Sequence, residues 1–176
     1  MYPFIRLAFH TLKVRKLKEL SIYDTHNCHV RIQPQDLDIF NELNNGRILT
    51  LFDLGRLPFG YRVGLMRVMK QNRWGLTMAG ASVRYRSRVR LFEKVKISTT
   101  AVGRDERFVY IIQTMWRGDQ ATSNIVYRSA LTSKDGIVPT QKIMEALGYP
   151  EWNPKMPKWV QNWITAEGTR DWPPQF

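Results

Sequence analysis

The spacing of apolar residues predicts one long helix near the middle of the chain. Between Arg47 and Leu57, polar residues recur at every third position and apolar residues occupy most of the others. An apolar arc this wide indicates a helix that is enclosed by the domain rather than resting on its surface. Asn44 or Asn45 is expected to cap the start of this helix, and Pro58 is expected to end it.

A strand is predicted on each side of this helix. Before it, residues 27–34 place Val30 and Ile32 on one face and Arg31 on the other. After it, the clearest alternation in the chain covers residues 83–90, in which every second residue is an arginine: Arg84, Arg86, Arg88 and Arg90. A period of two places all four arginines on one face of a strand.

The chain continues in strands that are joined by short turns. Residues 60–74 are expected to connect the helix to the arginine strand, and three further strands are predicted near 95–101, 108–116 and 122–131. Because short turns join antiparallel neighbours, these strands are expected to form a meander that curls around the helix. The predicted fold class is α+β, with an antiparallel sheet of about five strands wrapped around one long central helix.

Both ends of the chain differ from residues 21–135, which form the main domain. Residues 1–20 mix apolar residues with basic ones, which is typical of an amphipathic helix packed on its own domain or lying on an anionic membrane. Residues 136–176 begin with a short helix after Pro139 and then contain four tryptophans: Trp152, Trp159, Trp163 and Trp172. This tail is expected to pack over the domain or a partner subunit, or to touch a membrane interface.

Charge and cysteine usage narrow the possible partners and compartment. The formal net charge of +12 and the pI near 10.1 imply attraction to nucleic acid, an anionic membrane or a phosphorylated small molecule. The single cysteine, Cys28, excludes an internal disulfide and fits a cytoplasmic location, in solution or peripheral to the membrane. His26 and His29 are not expected to share a metal ion, since their spacing puts them on opposite strand faces.

The stretch from Asp36 to Arg56 carries a resemblance to a known family. Its motifs are Asp-Leu-Asp at 36–38, Asn-Asn-Gly-Arg at 44–47 and Asp-Leu-Gly-Arg at 53–56. This arrangement resembles acyl-CoA thioesterases of the 4-hydroxybenzoyl-CoA thioesterase type, a hotdog-fold family, especially the subgroup with Asp-Leu-Asp and His-Met-Asn-Asn-Gly-Arg-Tyr. Two positions depart from that pattern, because Glu42 replaces its histidine and Ile48 replaces its tyrosine.

The resemblance implies hydrolysis of an acyl-CoA to a free acid and CoA, with no metal and no cofactor apart from the CoA of the substrate. It implies Asp38 as the nucleophile or general base, and the backbone N–H near Asn45 as the oxyanion donor. Glu42 is a third catalytic candidate, since two close carboxylates raise the pKa of one of them. The substrate-binding candidates are Asn44, Arg84, Arg86 and Arg88, the arginines for CoA phosphates. Family members are at least homodimers, so a homodimer or a dimer of dimers is expected.

Simpler interpretations compete with these roles. Asp38 could be an ordinary turn acid, and the arginine face could simply be solvated. The departures at Glu42 and Ile48 favour a non-catalytic hotdog protein that binds acyl-CoA. A nucleic-acid-binding module is a further alternative, but Tyr85 and the other strand aromatics fall opposite the arginines, so nucleic acid is not the expected partner. No glycine-rich phosphate loop or Gly-x-Ser-x-Gly elbow occurs, which argues against a kinase or a serine hydrolase.

Overall fold

Five helices and six strands occur in the computed structural model, which describes residues 2–171 and 173. The helices are α1 (Phe4–Val14), α2 (Asn45–Arg62), α3 (Leu65–Asn72), α4 (Thr140–Leu147) and α5 (Lys158–Gly168). The strands are β1 (His26–Arg31), β2 (Gly75–Tyr85), β3 (Lys94–Arg104), β4 (Val109–Arg117), β5 (Gln120–Ser133) and β6 (Gly136–Ile137).

The strands form one antiparallel sheet that curls around α2. Their order is β1-β3-β4-β5-β2, and the short β6 pairs with the end of β5. Strand β3 alternates between buried and less buried residues, and its buried side chains Val95 and Ile97 pack in the same core as Leu51 and Phe52 of α2. This architecture confirms the α+β hotdog fold that was expected around the central helix.

Helix α2 approaches the sheet closely at Gly55. A Cβ atom at this position would lie 2.9 Å from Ile97 Cγ2, 2.9 Å from Thr99 Oγ1 and 3.0 Å from Gln113 Nε2. The buried amide of Gln113 belongs to the same contact, because its Nε2 donates to Thr99 Oγ1 at 2.7 Å and to the Phe52 carbonyl at 2.9 Å. Glycine at position 55 is therefore required by the small distance between the helix and the sheet.

Helix α2 continues through Pro58 to Arg62, so the prediction that this proline ends the helix is wrong. A proline inside a helix leaves the carbonyl four residues earlier, here that of Leu54, without its usual N–H partner. The Cys28 thiol donates to this Leu54 carbonyl at 3.5 Å. Burial raises the pKa of that thiol to about 12. Cys28 on β1 thus satisfies the group that Pro58 leaves free, and it has the character of a structural thiol.

The strand that was predicted at 83–90 ends at Tyr85, so the four arginines do not share a strand face. Residues 86–93 instead cross the end of the sheet, held by the buried Val89, whose carbonyl accepts the Leu43 N–H at 2.8 Å. Strand β2 consequently pairs with β5 and not with β3. The prediction that all consecutive strands are neighbours in a meander is therefore wrong for β2. Three strand spacings of about 4.8 Å each require about 14 Å, which the eight residues 86–93 can span even though Leu91 and Phe92 form a turn.

Helix α3 lies where the sequence predicts only a connection. It begins after Gly64, which adopts a left-handed conformation with φ of 83°, and it buries Val68. The two turns of α3 close one end of the core beside α2. The apolar pattern of residues 60–74 was too short to distinguish this helix from a partly buried loop.

The tail packs on the outer face of the sheet and around its end. The expected short helix is confirmed as α4, which begins after Pro139 and ends at Gly148. Trp152 is fully buried, and α5, which the sequence does not predict, buries Val160 against the outer sides of β4 and β5. Trp163 on α5 meets the Tyr110 ring edge-on, with 6.3 Å between centroids. Trp172 lies outside the described residues.

His26 at the start of β1 makes stability depend on pH. Its Nδ1 accepts from Arg62 NH1 at 3.2 Å, while its buried Nε2 has no hydrogen-bond partner among the described residues. Burial, and then the positive charge of Arg62, lowers the pKa of His26 from 6.5 to about 4. The unfolded chain therefore takes up this proton first, and the free energy of unfolding should fall by at most about 3 kcal/mol as the pH drops from about 6.5 to about 4.

A His26→Gln variant isolates this contribution, because glutamine does not titrate. Urea unfolding of both proteins across that pH range should show a steeper loss of stability for the natural protein than for the variant. Parallel pH dependences of the two proteins would show that His26 has an ordinary pKa in the folded state.

Candidate active site at the start of the central helix

Residues 37–43 form a tight turn that the Asp38 carboxylate holds closed. Asp38 Oδ1 accepts the backbone N–H groups of Phe40 at 2.9 Å and of Glu42 at 3.2 Å. The Asp38 N–H in turn donates to the Glu42 carbonyl at 2.8 Å, and Asn41 at the reversal has a φ of 57°. Within the described residues, Oδ2 of Asp38 has no hydrogen-bond partner. One carboxylate oxygen therefore maintains the turn and the other is available for chemistry.

Asp36 is fully buried and joins α1 to the start of α2. Its carboxylate accepts from Arg6 NH1 and Arg47 Nε, each at 2.7 Å, and from the Gln33 N–H at 3.0 Å. Burial by itself would raise the pKa of Asp36, but the hydrogen bonds from Arg47, Arg6 and Gln33 outweigh burial and hold it below its ordinary value. These contacts indicate a structural role for Asp36.

Asn44 is the residue that caps α2. Its Oδ1 accepts the Arg47 N–H at 3.0 Å, and its own N–H donates to the Asp36 carbonyl at 3.0 Å. The next two backbone N–H groups, those of Asn45 and Gly46, have no hydrogen-bond partner in the described part of the chain. Such donors are typical of the first helical turn, where the helix dipole is positive. Two backbone donors are thus present where the oxyanion is expected.

A surface groove of about 200 Å³ runs between the start of α2 and the segment that follows β2. It brings together four of the residues that the sequence singles out: Glu42, Asn45, Arg86 and Arg88. Arg88 Nε contacts Glu42 Oε1 at 3.0 Å across the groove. Both arginines are exposed to solvent and come from the irregular segment rather than from a strand.

The other three candidates lie outside this groove. Asp38 lies beside it, bonded to the backbone of Glu42, and Asn44 lines a separate groove with Tyr2. Arg84 is exposed on β2, where it is paired in register with Asn124 of β5. The structure therefore separates Arg84 from Arg86 and Arg88.

Glu42 is paired with a cation rather than with a second carboxylate. Its side chain contacts Arg88, and the link between Glu42 and Asp38 runs through backbone groups. Glu42 also lies before the first turn of α2 and not in it. The Glu42 carboxylate is therefore held in an ion pair with the segment that follows β2.

Tyr85 is a groove residue that the sequence did not assign to the site. Its hydroxyl donates to the Asn45 carbonyl at 3.2 Å, which ties the end of β2 to the start of α2. Tyr85 lies two residues after Val83 on β2, so the two side chains are on the same face of the strand, and that of Val83 packs against the core. This spacing of two residues from an apolar core position is the one sequence signal that could have placed Tyr85 beside the helix.

A second cluster lies further along α2. Asp53 forms an ion pair with Arg56 and also accepts from the Tyr2 hydroxyl at 2.8 Å. The Arg56 guanidinium stacks on the Tyr127 ring at 4.3 Å, and its Nε and NH1 atoms are buried with no hydrogen-bond partner in the described residues. Arg56 forms part of the wall of an apolar cavity of about 60 Å³ that extends toward α3 and α4.

Neither a metal cluster nor a membrane-spanning helix is found in the described part of the chain. No group of three or more His, Cys, Asp and Glu residues there could hold a metal ion. None of the helices within residues 2–171 is long and apolar enough to cross a membrane. His26 and His29 face opposite sides of β1, the first buried and the second exposed, as their spacing predicts.

Comparison with known proteins assigns the chain to a family. A sequence profile described as the thioesterase-like superfamily matches residues 32–164, which include the turn, α2 and every strand of the sheet except β1. The chain belongs to the thioesterase-like superfamily. Among the curated relatives of this thioesterase-like protein, Protein THEM6 of Drosophila melanogaster is 28% identical over 167 residues, covering 93% of this chain and 84% of the relative.

Solved structures, among them a probable thioesterase and a protein in complex with CoA, share the fold of this thioesterase-like protein. The probable thioesterase YbaW from Escherichia coli has a TM-score of 0.65 at 13% identity, covering 69% of this chain and 96% of that one. The protein SAV2348 from Staphylococcus aureus, solved in complex with CoA, has a TM-score of 0.62 at 13% identity, covering 80% and 92%. The broad resemblance drawn from Asp36–Arg56 is confirmed, and the 4-hydroxybenzoyl-CoA subgroup stays a prediction.

Proposed function

We propose that the protein is an acyl-CoA thioesterase whose active site is the turn and helix start at residues 38–46. The observation that carries the proposal is the pair of unbonded N–H groups at Asn45 and Gly46, which follow a turn containing the carboxylates of Asp38 and Glu42. Thioester hydrolysis needs a carboxylate or an activated water, together with donors for the oxyanion. The superfamily membership supports this reaction class.

In the proposed mechanism, Asp38 acts through Oδ2. As a nucleophile, this oxygen attacks the thioester carbonyl, the C–S bond breaks, and the CoA thiolate leaves and takes a proton. Water then hydrolyses the acyl-aspartate anhydride to the free acid and restores the carboxylate. As a general base, Asp38 instead takes the proton from the attacking water. In both routes the N–H groups of Asn45 and Gly46 stabilise the oxyanion.

For CoA itself, we propose that Arg86 and Arg88 bind the phosphate groups. Both line the groove beside the helix start, and arginine matches phosphate oxygens in geometry and charge. Arg84 is less suited, because β2 places it outside that groove. Glu42 has a positioning role in this arrangement, since its carboxylate holds Arg88 at 3.0 Å.

We also propose that the protein forms at least a homodimer along β2. In the described residues this eleven-residue strand pairs with β5 on one side only, and its other edge has no strand partner. An unpaired edge of that length readily pairs with another chain. A second copy along β2 would lie near the groove, since Tyr85 ends β2 and lines it.

Asp38→Asn tests the catalytic assignment without removing the turn. An asparagine Oδ1 can still accept the N–H groups of Phe40 and Glu42, so the variant should fold, while the charged oxygen is lost. We expect turnover of the natural protein on a panel of short, long and aromatic acyl-CoAs, measured as release of free CoA thiol. In Asp38→Asn, kcat should fall by about 100-fold or more.

Asp119→Asn is the matched control, because Asp119 is an exposed acid in the turn between β4 and β5. It should keep the natural rate. Full turnover in a folded Asp38→Asn protein would refute Asp38 as nucleophile or base.

A second candidate function is favoured by the ion pair of Glu42. The residue at the position of the family histidine is bonded to Arg88 rather than free for proton transfer. A non-catalytic acyl-CoA-binding protein would bind the same panel in calorimetry and release no thiol. A nucleic-acid-binding function is less well supported, since the arginines from Arg84 to Arg90 do not lie on one face of a strand.

A further inference from the structure

Helix α1 turns its apolar side away from the domain. Its large apolar residues are mostly exposed: Phe4 by 70%, Ile5 by 87%, Phe9 by 64% and Leu12 by 57%. At 100° per residue, these four side chains and Ala8 fall within an arc of about 140°. An amphipathic helix that merely covered its own core would present this arc inward.

The side of α1 that faces the domain is held by other residues. Val14 is buried, Leu7 packs against the main core, and Arg6 bonds to the buried Asp36 at 2.7 Å. Arg6 also donates to the Arg31 carbonyl at 2.9 Å. The orientation of α1 is therefore fixed by packing and by an ion pair, so the exposed apolar arc is a property of the fold.

The charge around this arc is entirely basic. The first eighteen residues contain Arg6, Lys13, Arg15, Lys16 and Lys18, and no Asp or Glu. The last four of these are exposed at the end of α1 and just beyond it. A second copy docked through the same arc would bring basic residues against basic residues, which is unfavourable. An anionic lipid surface fits both the apolar arc and its basic surroundings, because the acyl chains can contact the apolar side chains and the anionic headgroups can contact the basic residues.

We propose that α1 docks the protein on anionic membranes, with Phe4, Ile5, Phe9 and Leu12 inserted at the boundary between the headgroups and the acyl chains. Docking leaves the candidate active site on the membrane side of the domain, because Arg6 ties α1 to Asp36 just before the catalytic turn. The proposal does not depend on thioester hydrolysis. It goes beyond the proposed function, since it concerns where the protein is bound and not what it hydrolyses.

Vesicle sedimentation tests the proposal with the full chain. Vesicles of phosphatidylcholine with phosphatidylserine should bind the protein at low salt, and vesicles of phosphatidylcholine alone should bind it more weakly. In Ile5→Ser/Phe9→Ser, the partition coefficient should fall about tenfold or more, because half of the large inserted side chains are removed. Lys16→Gln/Lys18→Gln should weaken binding to the anionic vesicles and reduce its salt dependence.

The matched control is Trp159→Ser, which removes a half-exposed aromatic residue from α5 on the opposite side of the sheet. Its binding should equal that of the natural protein, and circular dichroism should show that all variants are folded. The proposal is overturned if the natural protein stays in solution with anionic vesicles, or if Ile5→Ser/Phe9→Ser binds as tightly. It is also overturned if that variant dissociates an oligomer in sedimentation velocity without lipid, since a second copy then covers the arc.

Discussion

Asp36→Ala should lower the free energy of unfolding by about 3 kcal/mol or more. Asp36 is fully buried, and both Arg6 and Arg47 donate to it at 2.7 Å from largely buried positions. Removing it leaves two guanidinium groups without the anion that they share, and it also removes the acceptor of the Gln33 N–H. Buried ion pairs that lose one partner are costly because the remaining charge has given up its hydration.

The pH dependence of stability distinguishes this ion pair from simple packing. Because the pKa of Asp36 is lowered in the folded state, its contribution is complete above the ordinary pKa of an aspartate and is lost as the pH falls further below that value. Asp36→Ala should lack this acidic loss, whereas it should keep the loss due to His26, which occurs at higher pH.

Urea unfolding at neutral pH and in acid measures both effects, with Asp119→Ala as the control for an exposed acid. A change below about 1 kcal/mol in Asp36→Ala would mean that water replaces the carboxylate at little cost. Asp36→Asn adds a finer comparison, because its amide oxygen can still accept the Gln33 N–H, while the charge and the oxygen that accepts from Arg47 Nε are lost.

Trp152→Ala should lower the free energy of unfolding by about 3 to 5 kcal/mol, or the melting temperature by about 10 °C. Its side chain is 1% exposed and packs in a cluster with Ile22, Phe59 and Met144. Its backbone is also held, since the Trp152 carbonyl accepts from Arg104 Nε at 2.9 Å. The substitution opens a large cavity where the tail joins the main domain.

Trp159→Ala is the control from the same tail, because that side chain is 46% exposed and should cost less than about 1 kcal/mol. Differential scanning calorimetry of the two variants measures whether residues 136–176 unfold with the domain. Equal melting temperatures for Trp152→Ala and the natural protein would show that the tail contributes no stability to the rest of the fold.

The parts of the fold that were predictable from the sequence depend on local periodicity. The apolar spacing from Arg47 to Leu57 is the spacing of a wrapped helix, and the turns at 103–106 and 118–119 fix an antiparallel order for β3, β4 and β5. The turn at residues 37–43, which holds the proposed catalytic residue Asp38, was predictable for the same reason, since Asp38, Asn44 and the helix start lie within a few residues of each other.

The errors arose where a distant residue decides the local structure. Pro58 lies inside α2, where Cys28, thirty residues earlier, donates to the carbonyl that the proline leaves free. The alternation of apolar and polar residues at 83–90 continues beyond the end of β2 because Val89 is buried under the end of the sheet. A crossing segment with one such buried residue has the same sequence pattern as a strand. The pairing of Glu42 with Arg88 is equally invisible in the sequence.

The contact between Cys28 and Leu54 also bears on how the proposed reaction can be followed. The one thiol of the chain lies in the core and is held by a helix carbonyl, and its high pKa keeps it protonated at neutral pH. A reagent that titrates thiolates therefore detects released CoA and not the folded protein. If the protein opens, Cys28 becomes reactive in a fixed amount of one thiol per chain, so the same reagent reports separately on turnover and on unfolding.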